Sequence, residues 1–190
     1  MTSPHDDPTC DVAHNGATAP STGRTLVAVF ASPVADYLLR YGRDTGFRAV
    51  LIEPDAALAQ TARNAHAAQT PHGEQTAHGE QVMVATSWDG CLDETADVVV
   101  TDHHRPELGT FLWDALASKA RWVGIMGNPH HPAPHIPALA ALGVPAAEIA
   151  RVHRPIGLNI GSHSPAEIAI ATLAGLIADR NGRPGGFSHL

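Results

Sequence analysis

Four short stretches of this chain carry residue types that can do chemistry. Thr101-Asp102-His103-His104 sets an imidazole beside a carboxylate, the pairing of a general base or a metal ligand. The same residues also suit a helix-initiating turn in which Asp102 or His104 bonds backbone amides, and the sequence leaves both readings open. Gly127 and Asn128, in GIMGNPHH, offer a backbone nest for an anion. His130, His131 and His135 are the densest group among thirteen histidines, but Pro132 and Pro134 interrupt the helical spacing that would align two ligands, which disfavours a metal site. In RVHRPIGLNIGS, residues 151–162, Gly157 and Gly161 flank Leu158-Asn159-Ile160 just ahead of a strong helix start, where an anionic ligand is favoured. The fourth stretch is Ala31-Ser32-Pro33-Val34. A dinucleotide site needs glycines there, whereas this turn has none and Pro33 removes an N–H donor. Glu53, about twenty residues further on, stands where an acid would bind a ribose hydroxyl, so NAD(P) or a flavin nucleotide is a weaker alternative ligand. No nucleophile with an adjacent base emerges from the spacing, and no reaction is assigned.

The elements that must position these loops are legible from apolar patterning. Residues 26–30 (LVAVF), 48–52, 82–85, 97–101 and 122–126 are short apolar runs of the kind buried on both faces of a parallel sheet. Helices alternate with them. One opens at Pro33 and closes at Gly46, with Val34, Tyr37, Leu38 and Tyr41 at helical spacing; a short one follows Glu53-Pro54-Asp55 with Leu58 and Ala62 inward. Pro106 opens a third, with Leu108, Phe111, Leu112 and Ala115 along one face. Two short helices are expected over 136–142 and 145–150. Ser164-Pro165-Ala166-Glu167 reads as a capping box for a last helix reaching about Arg180. That helix is apolar nearly all round, through Ile168, Ile170, Leu173, Leu176 and Ile177. It needs cover on two sides, from the sheet and from a second copy of the chain, which predicts a homodimer; cover by the first helix is the alternative. The pattern predicts an α/β fold: a doubly wound, Rossmann-like, mostly parallel sheet with helices on both faces and ligands beyond the C-terminal ends of the strands.

The 190 residues fit one domain, expected over 25–183 between a disordered tail at 1–24 and a short tail at 184–190. TPHGEQTAHGEQ, residues 70–81, is a tandem hexad without a hydrophobic face and reads as a low-complexity loop insertion. A net charge of −7, from 12 basic and 19 acidic residues with no basic cluster, argues against a nucleic-acid surface. Two cysteines are too few for a disulfide framework. Asp6, Asp7 and Asp11 stand where a signal peptide would need a basic patch, and the longest apolar stretch falls short of the roughly 18 residues of a membrane span. A soluble, cytoplasmic protein is expected.

The segments VVVTDHHRPEL, WVGIMG, GVPAAEIARVHRPIGLNIGS and SPAEIAIATLAGLIADRNG together resemble the C-terminal Rossmann-like domain of the xanthine dehydrogenase accessory factor (XdhC/CoxI) family. The resemblance runs from about Thr25 to Gly182 and is most specific from Arg151 onward; the family's usual cysteine-bearing N-terminal domain lies outside it. It implies a maturation factor rather than a metabolic enzyme. Such a factor binds the molybdenum cofactor (molybdopterin), aids its sulfuration or insertion, and works with a molybdenum hydroxylase such as xanthine dehydrogenase and with a cysteine desulfurase. It places the pterin's phosphate against the Gly127 and Gly157 loops, with His103 and His153 nearby. Three loops depart from the family pattern: ASPV replaces a GxGH-type turn, GNPH replaces GSRR and so lacks arginines suited to a phosphate, and GLNIG replaces GLDIG. The framework is kept and the presumed site is altered, which suits either a changed ligand or a partner module that has lost ligand binding.

Overall fold

The computed structural model describes residues 23–68, 81–88, 90–128 and 130–185. Five strands, β1 (Thr25–Val29), β2 (Arg48–Ile52), β3 (Met83–Ala85), β4 (Ala96–Val100) and β5 (Trp122–Ile125), form one all-parallel sheet in the order β3-β2-β1-β4-β5. The helices are α1 (Pro33–Asp44), α2 (Ala56–Ala68), α3 (Leu108–Ala117), α4 (His135–Ala141), α5 (Ala146–Ile149) and α6 (Pro165–Arg180). This is the predicted doubly wound α/β fold.

Strand periodicity divides the core into two layers. Val27, Val29, Val50, Ile52, Val98 and Val100 point to one face and pack with Leu108, Leu112 and Leu116 of α3 and Leu139 of α4. Leu26, Ala28, Ala49, Leu51 and Val99 point to the other and pack with Leu38 and Leu39 of α1 and with Ala169, Leu173 and Leu176 of α6. Because each strand is covered twice, its sequence reads as a continuous apolar run rather than an alternation. At the N-terminal end of β4 the buried Asp97 accepts hydrogen bonds from Arg24 and Arg121, and Arg121 also reaches Asp179 at 2.6 Å. Arg24 therefore belongs to the domain rather than to the tail assigned to it. Gly185 does too, since its backbone lies against Leu158. Most of the duplicated hexad segment lies outside the described residues.

Three helix expectations are corrected. In α2, Leu58 is 43% exposed, and the inward residues are Ala59, Ala62 and His66. The reason is that Asp55 accepts from the Ala57 and Leu58 N–H groups and so sets the phase of the first turn. α3 begins at Leu108, two residues beyond Pro106, without a side-chain cap. On α6 the capping box is present as read, but the cover on its second side comes from α1, leaving Ile170 48% exposed. The homodimer argued from that helix thereby loses its ground. Among the described residues, no helix is long and apolar enough to cross a membrane.

Candidate functional site

Chain connections reverse direction between β1 and β4, so their C-terminal ends and that of β5 frame the crevice in which an open α/β sheet holds ligands. β1 is followed directly by Phe30, a fully buried residue at φ 72°, where L side chains are disfavoured. Its surroundings over-determine that conformation. The Phe30 N–H bonds the Ile52 carbonyl at 2.8 Å, the Thr101 hydroxyl lies 2.7 Å from the Phe30 carbonyl, and the Arg105 guanidinium sits 4.9 Å above the ring.

Glu53 completes this clamp. Its carboxylate, with no solvent exposure, accepts from the Ala31 N–H at 2.8 Å, from the Asp55 N–H at 3.0 Å and from both terminal nitrogens of Arg105 at 3.2 and 3.0 Å. The acid that the sequence offers to a ribose is thus committed within the protein, along with one amide that a pyrophosphate would use. Ser32 is committed as well: its Oγ caps α1 by accepting from the Ala35 N–H and donates to Thr101 Oγ1 at 3.1 Å.

A cavity of about 700 Å³ lies on the β4–β5 side of the crevice. Val34 closes it from α1, Thr101 and His103 from the end of β4, and Met126, Gly127, Asn128 and His130 from the end of β5. Residues 158–163 form the opposite rim, while Ile156, Ile168, Ala171 and Thr172 complete the wall. Five predicted site residues therefore meet in one place: His103, Gly127, Asn128, Asn159 and Gly161. The other five do not line it. Besides Ser32 and Glu53, Asp102 accepts from the His104 N–H at 2.9 Å, which is the turn-forming alternative. His153 stacks on Trp122 with ring centroids 5.0 Å apart and borders a separate cavity of about 150 Å³, which Gly157 also lines. The reason is local: His153 N–H and C=O pair with Val123 and Ile125, adding one parallel bridge to β5 and turning the ring toward Trp122.

Each loop has an identifiable support. Gly127 lets Arg154 approach, since a β-carbon there would lie 3.0 Å from Arg154 Nε. Arg154 Nη2 donates to the Asn128, His131 and Pro132 carbonyls at 2.8, 3.2 and 3.3 Å and so holds the loop after β5. Asn128 Oδ1 accepts from the His130 N–H. Gly157, at φ 86°, presses against α6, where the Leu158 N–H bonds the Ala171 carbonyl at 3.0 Å. Burial, followed by the neighbouring His104, lowers the pKa of His103 despite Asp102, favouring the neutral imidazole that can accept as well as donate. Sequence reasoning missed Arg154, Ser162 and His163. Arg154 was visible within the quoted segment, but nothing local showed that it would reach back across the β5 loop. Among the described residues, no group of three or more His, Cys, Asp or Glu is placed to hold a metal ion.

The β1 turn thus has no glycine, and the cavity lies on the β4–β5 side of the crevice. The model of the XdhC Rossmann domain family matches residues 26–176. The chain belongs to that family. It is 38% identical over 66 residues to the uncharacterized protein YqeB of Escherichia coli K12, a match covering 35% of this chain and 12% of YqeB. A Bacillus halodurans crystal structure described as a xanthine dehydrogenase superposes with a TM-score of 0.59 at 19% identity, covering 87% of this chain and 45% of that one. The latter likeness speaks for the fold. In both cases the matched region is less than half of the relative's own length.

Proposed function

We propose that this chain is an accessory factor for a molybdenum hydroxylase of the xanthine dehydrogenase type, holding the molybdenum cofactor in the 700 Å³ cavity during sulfuration or insertion. The observation that carries the reading is the cavity's place and make-up within an XdhC Rossmann domain. It lies at the C-terminal ends of β4 and β5, within the size range of small-molecule sites, with an apolar wall and a few polar groups at its rim. What supports a pterin is the chemistry of the lining: Met126, Leu158 and Ile168 would give apolar contact, and Asn128, Asn159 and Ser162 would give amide and hydroxyl partners. His103, biased toward its neutral form, can donate or accept at the same rim.

The protein's role on this reading is to bind, orient and shield, and no residue is assigned a bond-making step. The client hydroxylase and a cysteine desulfurase are the partners it proposes. The nucleotide-oxidoreductase alternative would have to dispense with Glu53 and the Ala31 amide. The test is anaerobic equilibrium binding of purified molybdenum cofactor, with a working accessory factor as control. Saturable binding that weakens in Asn159→Ala is expected; absence of binding beside a functioning control refutes the reading and leaves a partner module without a ligand.

A further inference from the structure

Amides at the starts of both α1 and α6, and the arginine behind the β5 loop, are already engaged inside the protein. Ahead of α1, the Ala31 N–H is given to the buried Glu53, which also neutralises Arg105. Ahead of α6, Glu167 Oε2 accepts from the His163 N–H at 2.7 Å and the Ser164 N–H at 3.0 Å. A helix start that would attract an anion thus carries its own carboxylate, whose charge opposes a second anion. Arg154, behind Gly127, directs Nη2 at three backbone carbonyls rather than at the cavity. The wall that remains is largely apolar and carries no lysine or arginine; amide and hydroxyl groups and the imidazoles of His103, His130 and His163 stand at the rim.

Resting on the cofactor reading above, we infer that this cavity recognises its ligand through a planar, amide-bearing heterocycle and leaves the phosphate ungripped in solvent at the mouth. Glu53 and Glu167 are then specificity-determining residues, each filling the place of a ligand anion. The reading reverses the expectation that the Gly127 and Gly157 loops hold the phosphate, and Gly157 does not line the cavity.

The experiment is calorimetric titration of the full chain with molybdenum cofactor and with the same cofactor after phosphatase treatment, both anaerobic. It is run at about pH 8, where imidazoles of ordinary pKa carry no charge. Titrations at about 50 mM and about 500 mM salt add a second readout, because salt screens a phosphate contact and leaves ring burial almost untouched. The two forms are expected to bind within about fivefold of each other at both salt concentrations. A preference for the phosphorylated form above about fivefold that falls with salt overturns the inference while leaving the cofactor reading intact. Failure of both forms beside a working control overturns both. Glu167→Ala frees the two amides, and the phosphorylated form should then gain a preference that the wild-type protein lacks; no gain overturns the role given to Glu167.

Discussion

The loop that forms the cavity's outer rim is anchored at Gly157, and replacing this glycine by alanine tests how tightly. Gly157 sits at φ 86°, and an added β-carbon would lie 3.0 Å from the Ala171 carbonyl carbon and the Thr172 nitrogen and 3.2 Å from the Ala171 oxygen. Those atoms are helix backbone and cannot swing aside. The left-handed conformation costs an L-residue about 1–2 kcal/mol, overpacking adds about 1–3, and the stiffer unfolded chain returns about 0.4–1. The net is a loss of roughly 2–4 kcal/mol. For a domain of this size that lowers Tm by roughly 5–12 °C. Gly161 provides the internal control. Its φ is 68°, yet nothing lies within 4 Å of the position its β-carbon would take, so Gly161→Ala carries the conformational cost alone. That is roughly 1 kcal/mol and a few degrees. Differential scanning calorimetry of both variants, with urea melts to obtain the free energies, measures the difference. Equal losses in the two variants would refute the claim that the loop is pinned by its contact with α6.

Three further outcomes follow from interactions away from the rim. Arg105→Met, which strands a fully buried carboxylate, should cost about 3–5 kcal/mol by urea denaturation, and Glu53→Ala, which leaves Arg105 its partly exposed partner Glu107, should cost less; Glu53→Met with Arg105→Met should cost less than Arg105→Met alone, since no buried carboxylate is then left uncompensated. Burial lowers the pKa of His66 and of His135, whose Nδ1 has no hydrogen-bond partner among the described residues. Each group then binds its proton less well folded than unfolded, so stability is full above the ordinary imidazole pKa of about 6.5 and falls as pH drops below it. Urea melts between about pH 7.5 and 5.5 should show this decline, and His135→Leu should flatten it; an unchanged slope would count against the burial argument. Ser164→Ala removes a cap that accepts from the Glu167 N–H and should cost about 0.5–2 kcal/mol by the same assay.

The framework was legible because its signals are local. LVAVF must be buried on both faces, Ser-Pro-Ala-Glu caps a helix with its own side chains, and both appear where the sequence places them. Legibility fell where a neighbouring side chain decides between close alternatives. Leu58 and Ala59 are equally plausible inward residues until Asp55 fixes the first turn of α2. The cover of α6 was open between a second copy and α1 because the long-range pairing of helices leaves no mark on either helix's own pattern.

The cavity was half legible for the same reason, and the expected residues that do not line it are the more informative. His103, Gly127, Asn128, Asn159 and Gly161 follow strand ends or precede a helix, so topology alone brings them together. Glu53 also follows a strand, and the distance rule for a ribose-binding acid picks it out. What overrides the rule is Arg105, 52 residues further along and brought beneath the crevice by the turn after β4. A buried carboxylate that holds an arginine and two amides is committed to the fold, because releasing it to a ligand would take from Arg105 its closer carboxylate and from the Ala31 amide its acceptor. The first loop therefore lacks glycines and also gives its Ala31 amide to an internal carboxylate, which is why the cofactor reading proposed above places the ligand on the β5 side of the crevice.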